Sequence, residues 1–135
     1  GATFLMLDPI IYANELTMKM KRHNTEAWLV NTGWMGGPYG SGTRIDLLST
    51  RRIINAILYD STKSCEFSTI PVFNLLIPKK IEGVDESILD PGKAWDSYAR
   101  WHVAATDLAM KFINNFSKFS GNEEAAKLSE FGPRI

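Results

Sequence analysis

Five of the ten glycines of this 135-residue chain lie between Gly33 and Gly42, in Thr32-Gly33-Trp34-Met35-Gly36-Gly37-Pro38-Tyr39-Gly40-Ser41-Gly42-Thr43-Arg44. Glycine brings no side chain to pack and loses the most backbone freedom on ordering. Such a stretch predicts a loop rather than regular structure, one whose backbone approaches something closely or takes positive φ. Ahead of it, Glu26-Ala27-Trp28-Leu29-Val30-Asn31 is mostly apolar between polar residues and predicts a short strand over 26–31. Behind it, Ser49-Thr50 supplies N-cap chemistry for a helix whose apolar face is Ile53, Ile54, Ile57 and Leu58. A strand-loop-helix unit over 26–60 points to an α/β or α+β layered arrangement.

The flanking segments fit that frame. Phe4-Leu5-Met6-Leu7 reads as a short buried apolar run. Asp8-Pro9 reads as N-cap and first residue of a helix over about 9–22, with Tyr12, Leu16 and Met20 on one face and His23-Asn24 closing it. Lys19, Lys21 and Arg22 stand near its end, where the helix dipole favours cations. Residues 66–70 and 72–77 read as extended, interrupted by Pro71 and ended by Pro78. After the turn Asp90-Pro91-Gly92, a helix over about 95–118 is expected, with Trp101, Ala105, Leu108, Phe112, Phe116 and Phe119 as its stripe. Asn122 caps a last short helix that Gly132-Pro133 stops.

Charge and cysteine content bound the function. Fifteen Lys and Arg balance fifteen Asp and Glu. The basic excess that drives non-specific nucleic-acid or anionic-membrane binding is therefore missing. The lone Cys65 cannot form an internal disulfide, which fits a reducing compartment. No apolar run approaches the roughly 20 residues of a membrane-spanning helix, and the first residues do not read as a basic-then-apolar signal segment. The opening on Gly1 without methionine is expected of a piece of a longer polypeptide, whereas Phe131-Gly132-Pro133-Arg134-Ile135 reads as a natural end.

The glycine loop is the one segment that chemistry singles out, because a loop between strand and helix is the usual ligand position beside an open α/β sheet. Gly37 and Gly42 have the G-x-x-x-x-G separation of a phosphate-binding loop. The next residues are Thr43-Arg44 rather than Lys-Ser/Thr, so the lysine that reaches the phosphates and the hydroxyl that binds magnesium are both missing. On this pattern alone the loop reads equally well as a structural turn. Arg44 leaves the loop where a guanidinium can address phosphate or stack on a base; the plainer alternative is a surface ion pair with Asp46. Thr50 reads first as a helix cap, although a hydroxyl there can also face a ligand. His23 and His102 lack ligand-spaced partners, Cys65 has no activating base near it in sequence, and Asp85, Glu86 and Asp90 read as a solvated turn rather than a cation site.

Taken together, Leu29-Val30-Asn31-Thr32-Gly33-Trp34, Gly36-Gly37-Pro38-Tyr39-Gly40, Gly42, Arg44-Ile45, Thr50-Arg51 and Ile53-Ile54 resemble the C-terminal portion of ATP-dependent phosphoenolpyruvate carboxykinase. The likeness extends through Asp8-Pro9, Pro71-Val72-Phe73-Asn74-Leu75, Ile88-Leu89-Asp90-Pro91, Phe112-Ile113 and Gly132-Pro133, so ordered blocks span the chain. The resemblance implies an α/β fold: the C-terminal part of a carboxykinase nucleotide-binding domain, with helices packed on a partial mixed sheet. All of 1–135 would be one segment of that domain.

That family decarboxylates and phosphorylates oxaloacetate with ATP to give phosphoenolpyruvate, ADP and carbon dioxide in gluconeogenesis, assisted by magnesium and manganese ions. The resemblance assigns ATP contacts on the nucleoside side to Arg44, Ile45 and Thr50, and no catalytic or metal-binding residue to this chain. Thr43 stands where the family commonly has a lysine, which removes one charge near the nucleotide. The family's phosphate loop, metal ligands and oxaloacetate-binding arginine have no counterpart here. The expectation is a chain that supplies part of an ATP pocket, is inactive alone, is cytoplasmic (organellar in some lineages), and exposes apolar surface that favours self-association. The alternative is a free-standing, non-catalytic nucleotide-binding or interaction module.

Overall fold

Carboxylate and amide side chains set where most of the helices begin. The computed structural model describes residues 6–135. Helix α1 (Pro9–His23) starts with the Asp8 carboxylate accepting the Ile10 N–H at 3.0 Å, and Asn24 in the left-handed region at φ 48° ends it, as expected. Helix α2 (Leu47–Leu58) is capped by Asp46, which accepts from the Ser49 N–H at 2.8 Å; the cap lies three residues before the expected Ser49-Thr50. Asp85 caps the short α3 (Glu86–Leu89), and Asn122 caps α5 (Glu123–Lys127) by accepting from the Ala125 N–H at 2.8 Å. Helix α4 (Tyr98–Phe116) continues into a 3-10 turn at Ser117–Phe119, close to the expected 95–118.

The strands are short and all antiparallel. β1 (Trp34–Met35) pairs with β2 (Thr43–Arg44), and β3 (Phe67–Ile70) pairs with β4 (Leu75–Pro78), each as a two-stranded sheet. The fold is thus mixed helix and small sheet, consistent with an α/β class. The partial mixed sheet is not formed: among the described residues no strand runs parallel to another. The segment 26–31, expected to be a strand, belongs to none of the strands among the described residues and remains irregular, with Leu29 87% exposed. A strand needs a ladder partner for its backbone groups, and β propensity alone does not supply one. The glycine-rich segment, expected to hold no regular structure, carries β1 and β2 at its ends.

The chain divides into two units. The larger comprises Val30–Met110 with Pro133–Ile135; the other, among the described residues, comprises 6–29 with Lys111–Gly132. The core cluster of the larger unit joins Ala56 of α2 to Ile81 and Val84, with Ile53, Ile88 and Leu89 packed on it. Of the face expected on α2, Ile53 and Ile57 are half-buried, whereas Ile54 and Leu58 are exposed. The α4 stripe holds at Trp101 and Ala105 and passes to Ala109, leaving Leu108 and Phe112 exposed. Among the described residues of the second unit Ala125 is the buried hydrophobic one, and α1 buries none. Of the apolar run expected at 4–7, Phe4 and Leu5 lie outside the described residues, while Met6 and Leu7 are exposed rather than buried.

Between β3 and β4 the backbone turns tightly instead of remaining extended over 72–74. The Phe73 N–H donates to the Pro71 carbonyl at 2.9 Å, holding Val72 at φ 71°, and Asn74 follows at φ 54°. A β-branched residue at the centre of such a turn is strained. The Arg134 N–H, donating to the Val72 carbonyl at 2.7 Å, holds the turn in place. Val72→Gly is expected to stabilise the chain by about 1 kcal/mol, the relieved strain exceeding the added unfolded-state entropy. Thermal unfolding checks this; an unchanged or lowered midpoint contradicts it.

Candidate functional site

The glycine loop closes on itself before it releases Arg44. The Ser41 and Gly42 N–H groups donate to the Pro38 carbonyl at 3.1 and 2.8 Å. A Cβ on Gly42 would lie 2.7 Å from the Met35 carbonyl oxygen, and one on Gly36, at φ 72°, would lie 2.7 Å from that of Ala94. Close approach and positive φ, the two uses expected of these glycines, are both present. Asn31 braces the entry: its Oδ1 accepts from the Gly33 N–H at 2.9 Å and its Nδ2 donates to the Trp34 carbonyl at 3.1 Å. Tyr39 at the tip meets Trp34 edge to face, with centroids 5.2 Å apart.

The three residues assigned to a nucleotide lie within seven positions of one another. Arg44 stands opposite Trp34 in the ribbon. It is exposed, and among the described residues its guanidinium has no hydrogen bond or ion pair. Ile45 is 6% exposed, and its N–H donates to the Gly33 carbonyl at 2.9 Å, fixing the strand-to-helix turn. Thr50 is half-buried; its hydroxyl donates to the Asp46 carbonyl at 3.0 Å and keeps its oxygen as an acceptor. Arg44 does not pair with Asp46. That carboxylate serves Ser49 instead, taking its N–H at 2.8 Å and its hydroxyl at 2.6 Å. The Ser49 hydroxyl, then the Ser49 N–H, hold the Asp46 carboxyl below its usual pKa.

Two clefts open in the larger unit, and neither is lined by Arg44, Ile45 or Thr50. One, of about 340 Å³, lies between the loop at Trp34–Pro38 and residues of the 87–104 region, including Ile88, Pro91 and Trp95. The other, of about 350 Å³, lies between β4 and α3 and gathers Lys79, Lys80 and Lys93. Two of these lysines are committed: Lys79 to Glu66 at 2.9 Å and Lys93 to Glu86 at 3.0 Å. These exposed pairs are weak interactions, and the hydrogen bond from Lys79 holds Glu66 below the usual carboxylate range. The acidic stretch is structural. Asp85 caps α3, Glu86 pairs with Lys93, and Asp90 accepts from the Gly92 N–H at 2.9 Å. Among the described residues no three of His, Cys, Asp and Glu converge, so these side chains do not fit a magnesium or manganese site. No helix among them is long and apolar enough to cross a membrane.

Sequence reasoning missed Asp46 as the cap, although the three-residue step to Ser49 is the signal for it. It also missed Trp34 and Trp95 as cleft walls, for which no local pattern exists.

Comparison with known proteins places these features in context. The family model described as phosphoenolpyruvate carboxykinase (PEPCK_ATP) matches residues 1–87, well over half of the chain. The chain is 42% identical over all 135 residues to phosphoenolpyruvate carboxykinase (ATP) of Campylobacter jejuni subsp. jejuni serotype O:23/36 (strain 81-176). It is 41% identical over the same length to the protein of that name from Campylobacter lari. In both cases it spans 26% of the relative's length.

The Asp46 cap gives a pH signature. A carboxylate whose folded pKa is lowered stabilises the fold above its unfolded pKa, and that contribution is lost as pH falls through the folded value. Asp46→Ala is expected to lower the thermal midpoint at neutral pH. The difference from the parent chain should shrink as pH drops through and below the ordinary carboxylate range. A difference that does not change with pH contradicts the capping role.

Proposed function

The chain belongs to the phosphoenolpyruvate carboxykinase (ATP) family, and from that premise we propose that it is the C-terminal segment of such an enzyme's nucleotide-binding domain. The whole enzyme would act in the cytoplasm and convert oxaloacetate and ATP to phosphoenolpyruvate, ADP and carbon dioxide. Magnesium and manganese would neutralise charge on the transferred phosphoryl group, held by residues outside this chain. This segment's part is to hold the nucleoside side of ATP through Arg44, Ile45 and Thr50.

The observation that carries the reading is Arg44 itself: an exposed guanidinium without a partner among the described residues, leaving a closed glycine loop at the start of a helix. A planar cation so placed suits stacking or hydrogen bonding to a purine nucleoside. Thr50 contributes a free acceptor one turn into α2. Ile45, buried here, acts by holding the turn and offers only its edge to a base. The facing wall of the pocket comes from polypeptide beyond this chain, which accords with neither cleft reaching the three residues. Exposed apolar residues such as Leu29 and Phe112 support self-association of the chain on its own.

Calorimetric titration of the 135-residue chain with ATP tests the reading. Binding is expected, weakened at least about tenfold by Arg44→Ala, which is about 1.4 kcal/mol. No phosphoenolpyruvate is expected from this chain alone. ATP binding that Arg44→Ala leaves unchanged moves the contact elsewhere, and turnover by the chain alone refutes the division of labour.

A further inference from the structure

Helix α2 buries one side and leaves an equally apolar side bare. Ser49, Ile53 and Ala56 step by four and three; Ser49 and Ala56 are buried, and Ile53 packs on the Ile81–Val84 cluster. Leu47, Arg51, Ile54 and Leu58 step by four, three and four. At 100° per residue this second line runs on the opposite side of the helix from the first. Leu47, Ile54 and Leu58 are 73%, 40% and 70% exposed. A helix that covers a core from outside carries polar residues on its far side. Here the far side has the spacing of a helix–helix seam, interrupted only by Arg51. Arg51 is exposed, and among the described residues no carboxylate pairs with it.

We propose that this seam docks a helix supplied by polypeptide outside this chain, with apolar residues facing Leu47, Ile54 and Leu58 and a carboxylate facing Arg51. The charge pattern selects this occupant over a second copy of the chain. An antiparallel pairing of two α2 helices sets each Arg51 against Ile54, a parallel one sets Arg51 against Arg51, and α2 contains no acidic residue to answer either. The inference rests on the reading of the chain as one segment of a longer enzyme, in keeping with its 26% share of the relatives' length. It does not depend on where ATP binds.

Two designed helical peptides of about 21 residues, long enough to hold a helix, provide the probe. Both carry a leucine seam, and they differ only in Glu or Lys at the position facing Arg51. Fluorescence anisotropy at low salt is expected to show the Glu peptide bound at least about tenfold more tightly than the Lys peptide, because like charges across an interface are strongly disfavoured. Arg51→Glu should invert the preference, and Leu58→Gln should weaken both peptides. Both positions are exposed, and circular dichroism checks that the variants keep their helix content. The proposal is overturned if neither peptide binds, if both bind alike, or if the preference survives Arg51→Glu. It is also overturned if sedimentation shows a dimer that Leu58→Gln dissolves, since the occupant is then a second copy. A Glu preference alongside unaltered ATP binding by Arg44→Ala would uphold the seam while sinking the nucleotide assignment.

Discussion

Closure of the glycine loop is the constraint on which the rest of this structure depends. Gly42 lies against the Met35 carbonyl at a distance no Cβ could share, and its own N–H reaches back to Pro38. That approach sets the register in which Trp34 meets Arg44 and Met35 meets Thr43. Register in turn puts Ile45 into the interior and Asp46 at the point where α2 begins. A bulkier residue at position 42 would have to open the ribbon, displacing the guanidinium and the helix start together. The glycines act through space rather than through flexibility: they let two strands of two residues each lie close enough to aim Arg44 and the first turn of α2.

Most features that depend on neighbours in sequence were legible from it, the Asp46 cap of α2 being the exception. Asp8, Asn122 and Asp90 work through side chains reaching two or three residues along the backbone, Asn24 through its own left-handed backbone, and all stand where expected. Features that depend on tertiary partners were not legible. Residues 26–31 have the composition of a strand yet form none among the described residues. The expected α4 stripe is continuous in sequence, yet it is covered at Trp101 and Ala105 and bare at Leu108 and Phe112, the burial passing to Ala109 instead. A period of 3.6 identifies which residues share a face but not whether anything covers it. The same holds for the candidate site. Arg44 and Thr50 stood out by their chemistry and the resemblance added Ile45 and the nucleoside role, while the exposure of Arg44, the burial of Ile45 and the capture of Asp46 by Ser49 were visible only in the folded chain.

The uncovered faces and the position of Arg44 have a common reading. The larger unit has a real core around Ala56, Ile81 and Val84, and many hydrophobic residues elsewhere, Leu47, Leu58 and Leu76 among them, lie open to solvent. In a chain matching a quarter of its relatives' length, such faces are where further polypeptide would pack and where a shared nucleotide pocket would close. On the proposed reading, a guanidinium held at such an edge would contribute one wall of a site and leave the phosphate chemistry to the other.

The most direct measurement is the backbone amide spectrum of the 135-residue chain during titration with ATP. Nucleotide held at the turn between β2 and α2 predicts concentration-dependent shifts concentrated in residues 42–51, with the β3–β4 hairpin unmoved. Shifts confined to the lysine-lined cleft beside β4, or none at nucleotide concentrations that saturate whole carboxykinases, would contradict that placement.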